Sequence, residues 1–304
     1  MKKIAITTGD PNGIGAEITI KALNYLDLPQ DKVVIVSNKK ILNYYGKLNK
    51  DYEIIEIPYD YEIKAGEVTK ESGEFSYQSL KKVCEIRPKA IITAPVAKNA
   101  LHLAGHKFNG QTEILQELLS HNNQLAEMLF VANNFRVLLL TRHCALKDIT
   151  LTEEIVTTKI KNLVETFKTQ FGIENPKFAL CGFNPHSGED GILGREEIDI
   201  LIPAVKQLQA EGINITLPLP ADTLFVKASK HYYQNTKDEY DCYIANYHDQ
   251  GLIPIKTVAG DKTVNMTIGL DIVRTSPGHG TAFDIAGKNI ADPSGMIEAI
   301  KVVI

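Results

Sequence analysis

The stretch Gly9-Asp10-Pro11-Asn12-Gly13-Ile14-Gly15 follows the β-branched run Lys3–Thr8 and leads into the apolar-periodic segment Ile14–Leu26. A strand, a glycine-rich turn and a helix in that order are the opening of an α/β fold. Backbone N–H groups at such a helix start can hold an anion. The residues do not fit the dinucleotide fingerprint of a Rossmann domain. Ile18 stands where the third glycine would fall, and the second strand ends at Ser37-Asn38 with no acid placed for a ribose hydroxyl. The turn therefore reads either as an anion site at a helix start or as a strand–helix connection that needs flexible backbone.

Outward from this turn the alternation continues. Lys32–Ser37, Glu53–Ile57, Lys89–Thr93, Lys177–Cys181, Asn214–Leu217 and Asp241–Asn246 read as strands, several of them almost continuously apolar. Strands buried on both faces look like this. Glu71–Ile86, Thr112–Ser120, Thr152–Phe171, Arg195–Ala210 and Ser294–Val303 read as helices. In Thr152–Phe171 the apolar residues recur at helical spacing, Thr150 and Glu153 can form a capping box, and Gly172 can end the helix. Met128–Ala132 and Phe135–Thr141 flank Asn133-Asn134, which reads as a two-residue hairpin turn. The expected fold is α/β with two domains, each a mixed but mostly parallel sheet flanked by helices. No linker composition is visible, so the boundaries must be tight crossovers. They are placed to give 1–110 plus 250–304 as the terminal domain and 111–249 as the central one.

The 304 residues are 44% apolar and 23% charged, ordinary globular usage that excludes a disordered chain or a disulfide miniprotein. Net charge is −4, and 33 Lys and Arg are spread among 37 acids, leaving no nucleic-acid footprint. The longest apolar run, Met128–Ala132, is far short of the roughly 20 residues of a membrane span. The basic start, Lys2-Lys3, lacks a long apolar segment after it and reads as the first strand, so a cytoplasmic protein is expected. Cys84, Cys144, Cys181 and Cys242 form no C-x-x-C pair and read as buried free thiols.

Three histidines fall just past strand ends: His143, His186 in Asn184-Pro185-His186-Ser187-Gly188, and His248 in Tyr247-His248-Asp249-Gln250-Gly251. Ligands bind at that edge of open α/β sheets. Three imidazoles brought together would suit Zn²⁺, Co²⁺ or Mn²⁺ better than Mg²⁺. They lie 43 and 62 residues apart, so spacing alone leaves surface histidines as the alternative. Lys256, Asn265 and Arg274 follow at intervals of nine residues and together suit a phosphate or carboxylate; each taken singly also reads as a solvated surface group. His279 to Pro293 is dense in glycine and small residues and reads as a backbone-rich loop that can lie against a flat ligand, or as a plain loop before the last helix.

Taken together, Thr8 to Gly15, Asn184 to Glu189, Pro220-Ala221-Asp222-Thr223, Tyr247 to Gly251, Arg274-Thr275-Ser276 and His279-Gly280-Thr281-Ala282 resemble the 4-hydroxythreonine-4-phosphate dehydrogenase family of pyridoxal phosphate biosynthesis. The blocks span essentially the whole chain. The 279–293 loop is also similar to the adenine-side loop of isocitrate and isopropylmalate dehydrogenases, whose fold that family shares, with its active site in the interdomain cleft. The resemblance implies that His143, His186 and His248 are ligands of one divalent metal, with zinc first and cobalt, manganese or magnesium also open. It implies a homodimer in which the partner subunit supplies the third ligand. Gln111, Thr112, Lys256, Asn265 and Arg274 match substrate-contacting positions, and Gly280, Asp284 and Asp292 fall in the NAD or NADP loop. Position 111 departs from the family, which commonly has His-Thr-Glu where this chain has Gln111-Thr112-Glu113. Glutamine can exchange hydrogen bonds but cannot take up a proton near neutral pH.

The implied reaction is oxidation of 4-phosphohydroxy-L-threonine to a β-keto acid, which decarboxylates to 3-amino-2-oxopropyl phosphate. Asp249 and Asp222 are candidates for the base or for orienting a metal ligand. Gln111 leaves open a relative acting on threonate or erythronate phosphate. A metal-dependent hydrolase and a non-catalytic binding protein are the readings of other classes.

Overall fold

The computed structural model describes residues 2–120 and 125–304. It divides into two units, 1–126 with 264–304 and 127–263. The expected boundaries at 110/111 and 249/250 fall earlier on the chain. The difference has a packing cause: the helix beginning at Gln111 packs within the first unit, and the helix beginning at His248 packs on strands of the second.

The chain begins with β1 (Ile4–Thr7), α1 (Gly15–Leu26), β2 (Val33–Ser37), α2 (Lys39–Tyr45), β3 (Glu53–Glu56), α3 (Lys70–Glu85), β4 (Ile91–Thr93), α4 (Lys98–Leu103) and α5 (Gln111–Leu119). The second unit contains β5 (Glu127–Ala132), β6 (Phe135–Leu139), α6 (Glu153–Phe171), β7 (Lys177–Leu180), α7 (Ile202–Ala210), β8 (Asn214–Ile215), α8 (Ala221–Gln234), β9 (Cys242–Ala245) and α9 (His248–Ala259). The chain then returns to the first unit as β10 (Val264–Ile268), β11 (Arg274–Pro277) and α10 (Ser294–Lys301).

In the first unit the strand order is β3-β2-β1-β4-β11-β10, parallel except for the antiparallel β10–β11 pair. In the second it is β5-β6-β9-β7-β8, parallel except for the β5–β6 hairpin. These are the mixed, mostly parallel sheets that the near-continuous apolar strands predict. β1, β2, β4 and β9 are buried at every residue. The second unit's core gathers Phe135, Leu139, Phe225, Tyr243 and Ile255. Among the described residues no helix is long and apolar enough to cross a membrane.

The glycine-rich turn is a connection and holds no free anion cradle over residues 10–14. Asp10 N–H donates to Pro95 O, Asn12 N–H to the Asp10 carboxylate, Gly13 N–H to Asp10 O and Ile14 N–H to Thr281 O, all at 2.9–3.1 Å, and Pro11 has no N–H to offer. Gly9 has φ +69°, and a Cβ there would lie 2.2 Å from Pro95 O, so only glycine fits. Asp10 is fully buried beneath the turn, hydrogen-bonded by Asn12 N–H, Ser72 Oγ and Ala97 N–H. Burial outweighs these donors and pushes its carboxyl up to about 6. The sign follows. From about pH 4 to 6 the folded state keeps a proton that the unfolded chain has lost, so Asp10 costs the fold more as pH rises, on the order of 3 kcal/mol above pH 6. Asp10→Asn removes that cost. Its melting temperature relative to the parent should therefore be more favourable at pH 8 than at pH 5; a difference independent of pH would mean Asp10 is not desolvated in this way.

Four local expectations are corrected. Thr152, not Thr150, caps α6: its hydroxyl accepts Ile155 N–H at 3.2 Å, because the first helical residue is Glu153. The segment Arg195–Ala210 is not one regular helix but opens with a π-turn at Glu197–Leu201, where buried Glu197 is turned back onto Asn184. β8 is only two residues long. Cys84, Cys181 and Cys242 are buried free thiols, but Cys144 is exposed in the turn after His143. Gly172 ends α6 in the left-handed conformation and Asn133 takes φ 51° in the hairpin, as expected.

Candidate active site

In the second unit His143 and His248 come together, their ring centres 5.5 Å apart. They line a cavity of about 310 Å³ with Arg142, Cys144, Tyr247 and Asp249. Adjacency of β6 and β9 in the sheet brings their ends, and so the two histidines, side by side. The helix α9 starts at His248 itself, in a segment whose sequence reads as loop. A Cβ on Gly251 would sit 2.6 Å from Leu139 and 2.9 Å from Val137, so glycine lets α9 lie directly on β6. Gln250 accepts Asn246 N–H at 2.7 Å and donates to Gly182 O at 2.7 Å, while Asn246 Nδ2 donates to Cys181 O. The ends of β7 and β9 are tied together through these two amides. Each member of the His-Asp-Gln-Gly run thus has a separate structural task, including Asp249, whose Oδ1 is 2.7 Å from His248 Nδ1. A carboxylate there holds the proton on Nδ1 and leaves Nε2 as the free donor atom.

His186 occupies an unusual turn. Residues His186, Ser187, Gly188, Glu189 and Asp190 all have positive φ, between 45° and 80°. Asn184 anchors the entry: its carbonyl accepts Ser187 N–H at 3.1 Å, its own N–H donates to Glu197 at 2.8 Å and its amide to Glu196 at 2.6 Å. His186 is exposed and does not join the other two rings: among the described residues no group of three or more His, Cys, Asp or Glu side chains could hold a metal ion. Two imidazoles sharing one tetrahedral ion at about 2.0–2.1 Å have ring centres roughly 5 Å apart, so the His143–His248 pair fits as part of a metal site. Asp222 is exposed in the first turn of α8; Lys256 is exposed in the last turn of α9.

In the first unit four of the five expected substrate positions gather around the end of β4. Arg274, on β11, is 3% exposed, and its Nε donates to Thr93 Oγ1 at 2.8 Å. Burial pushes the guanidinium down to about 10, offset in part by Glu113, so it remains a cation at neutral pH. Gln111 starts α5 and donates its amide to Ala94 O at 3.1 Å, which fixes the side chain's orientation and leaves Oε1 buried without a partner. Thr112 is buried next to it. The β10–β11 register pairs Thr267 with Arg274 and Asn265 with Ser276, so Asn265 and Thr267 share Arg274's face of the sheet. Asn265 Oδ1 and Thr267 Oγ1 are also buried without partners. Thr93, Ala94 and Thr267 are additions that no sequence motif marks; only sheet register finds them.

The 279–293 loop is pinned to α1. Ile14 N–H donates to Thr281 O, and Ala291 N–H to Glu17. His279 Nδ1 faces Gly280 O at 3.0 Å and so carries the proton, which leaves Nε2 as a buried acceptor with no partner. A Cβ on Gly280 would meet nothing within 4 Å. An orphaned acceptor beside open space suits a ligand with hydroxyl or amine donors, as a dinucleotide has. Asp284 is exposed, and Asp292 accepts Ser294 N–H at the start of α10.

The family model described as pyridoxal phosphate biosynthetic protein PdxA matches residues 3–303. The chain belongs to this family. A 4-hydroxythreonine-4-phosphate dehydrogenase of Sulfurihydrogenibium sp. is 41% identical over 100% of this chain and 98% of its own. A protein of Oceanobacillus iheyensis provisionally named D-threonate 4-phosphate dehydrogenase is 37% identical, over 99% and 96%. The crystal structure of the Klebsiella pneumoniae 4-hydroxythreonine-4-phosphate dehydrogenase superposes with a TM-score of 0.86 at 34% identity, covering 99% and 98%. A β-decarboxylating dehydrogenase from Thermococcus kodakarensis shares the fold of this PdxA-family chain, with a TM-score of 0.55 at 17% identity over 98% and 81%.

Proposed function

We propose that the chain oxidises 4-phosphohydroxy-L-threonine with NAD or NADP to a β-keto acid that decarboxylates to 3-amino-2-oxopropyl phosphate, in the pathway to pyridoxal 5′-phosphate. The observation that carries the reading is Arg274, a buried guanidinium with no ion-pair partner among the described residues. An unpaired buried cation is costly unless a ligand supplies the anion. Around it stand Gln111 and Asn265, whose unpartnered carbonyl oxygens demand hydrogen-bond donors. A substrate that carries an anion together with amine and hydroxyl donors satisfies both. Thr112, beside Gln111, adds a hydroxyl; Lys256, exposed on the second unit, is a further cation of the kind that binds phosphate or carboxylate.

His143, His186 and His248 would hold one divalent metal, with one of the three reaching the site from a second subunit. When bound, the metal makes the substrate hydroxyl more acidic and stabilises the charge left as CO₂ departs, and the nicotinamide takes up the hydride. Asp249 keeps His248 in the tautomer that coordinates through Nε2. With Asp249 so engaged, Asp222 is the carboxylate free to remove the hydroxyl proton. It follows Leu219, whose carbonyl accepts Gly182 N–H at 2.7 Å, so α8 begins beside the entry to the His186 turn. Ile192, 77% exposed, with Leu193 and Ile198 forms an apolar face next to that turn, which supports a second copy of the chain as its cover.

Gln111 and the Oceanobacillus relative favour threonate or erythronate phosphate as the second reading. The test is direct. Zinc- or cobalt-loaded protein is mixed with NAD and either 4-phosphohydroxy-L-threonine or D-threonate 4-phosphate. NADH and CO₂ from the first substrate, at a kcat/KM at least tenfold above the second, support the proposal. The reverse preference replaces it, and metal-dependent hydrolysis without NADH sinks both.

A further inference from the structure

We propose that Glu17 and Lys21, on the first two turns of α1, are positioning residues for the nicotinamide dinucleotide. They fix the far end of the 279–293 loop in the conformation that receives it; the inference rests on the reading of that loop as the nucleotide site.

Glu17 is 1% exposed, and its Oε1 accepts Lys21 Nζ at 2.7 Å and Ala291 N–H at 2.8 Å. Lys21 Nζ also donates to Asn289 O at 3.1 Å and Ala291 O at 3.0 Å. All three ammonium protons are thereby spent, one on Glu17 and two on the loop. One of the clamped residues, Asn289, takes the left-handed conformation with φ 56°. The near end of the loop is held by the same helix: Ile14 N–H binds Thr281 O at 3.0 Å, and a Cβ on Gly13 would lie 3.0 Å from that oxygen. Between the two anchors Asp284 is exposed, and Gly280, just before the first anchor, faces open space. The loop is therefore held at both ends by α1 and the residue that precedes it, before any ligand is bound. A loop ordered before binding avoids the ordering cost that binding would otherwise meet. Lys21 thus brackets two carbonyls two residues apart at the far end of the loop.

The variants are Lys21→Met, Lys21→Gln and Lys21→Arg, each in the metal-loaded full-length protein. Lys21→Met should weaken NADH binding, followed by nicotinamide fluorescence, about tenfold, and raise KM for NAD by the same factor. It should move kcat and KM for the phosphorylated substrate less than twofold and speed amide exchange at 282–291. Lys21→Arg should recover most of the affinity. Lys21→Gln keeps a neutral donor for the loop carbonyls, should fall between, and carries the test if Lys21→Met does not fold. NADH affinity equal to the parent in these variants overturns the proposal and leaves the function standing. Equal losses for both substrates and kcat would mark a general weakening of the fold and also overturn it. A parent protein that binds no NADH removes the reading of the loop, and this inference with it.

Discussion

Arg274→Met should lower kcat/KM for the phosphorylated substrate by two to three orders of magnitude while the protein stays folded. The side chain is a buried cation with no ion-pair partner among the described residues, so its removal deprives a bound anion of a desolvated, charge-assisted contact, on the order of 2–5 kcal/mol. Stability moves the other way or not at all, because the guanidinium is already held down to about 10 by burial and its one hydrogen-bond partner among the described residues is a threonine hydroxyl. Arg274→Lys keeps the charge but not the planar fork, and should recover only part of the loss. Steady-state kinetics at pH 7.5 check this, with melting temperatures alongside. Unchanged KM and kcat would show that the substrate anion lies elsewhere, and Lys256 would become the candidate.

His143→Ala should abolish stoichiometric zinc binding. In the proposed site the pair at 5.5 Å would contribute two of the ligands, and losing one would leave that site open on one side. Changes to residues that merely orient a ligand cost 10–100-fold in metal affinity, so Asp249→Asn should fall in that range and His143→Ala beyond it. Equilibrium dialysis against zinc, with metal content measured on the recovered protein, reads both without turnover. His186→Ala belongs in the same series. If it retains zinc at full stoichiometry while His143→Ala does not, the third ligand is some other residue.

Much of the fold was legible because the strands are apolar on both faces and punctuated by glycine and asparagine. What escaped was decided by geometry that no local pattern carries. Thr150 and Thr152 are both plausible caps from sequence; the start of the helix at Glu153 selects Thr152. His248-Asp249-Gln250-Gly251 looks like a loop because it follows a strand and contains glycine, yet that glycine is there to bring a helix against Leu139. β10 and β11 are not among the strands expected from sequence; Arg274–Pro277 is polar and short, and only pairing with β10 and β4 makes it a strand. Of the site, the residue types were readable and the partners were not. Thr93 lies 181 residues from Arg274, and only the parallel β4–β11 pairing joins them.

That separation bears on biosynthesis. The second unit is one uninterrupted length of chain, 127–263, whereas the first is completed by residues 264–304. A ribosome therefore releases β4 with one edge unsatisfied and supplies its neighbour β11 only later, Arg274 following Thr93 by 181 residues. Until then the N-terminal strands present a bare ladder of the kind that invites pairing with other chains. Arg274, the proposed anion binder, is made on the same strand, so the proposed anion site cannot form before that edge has its partner.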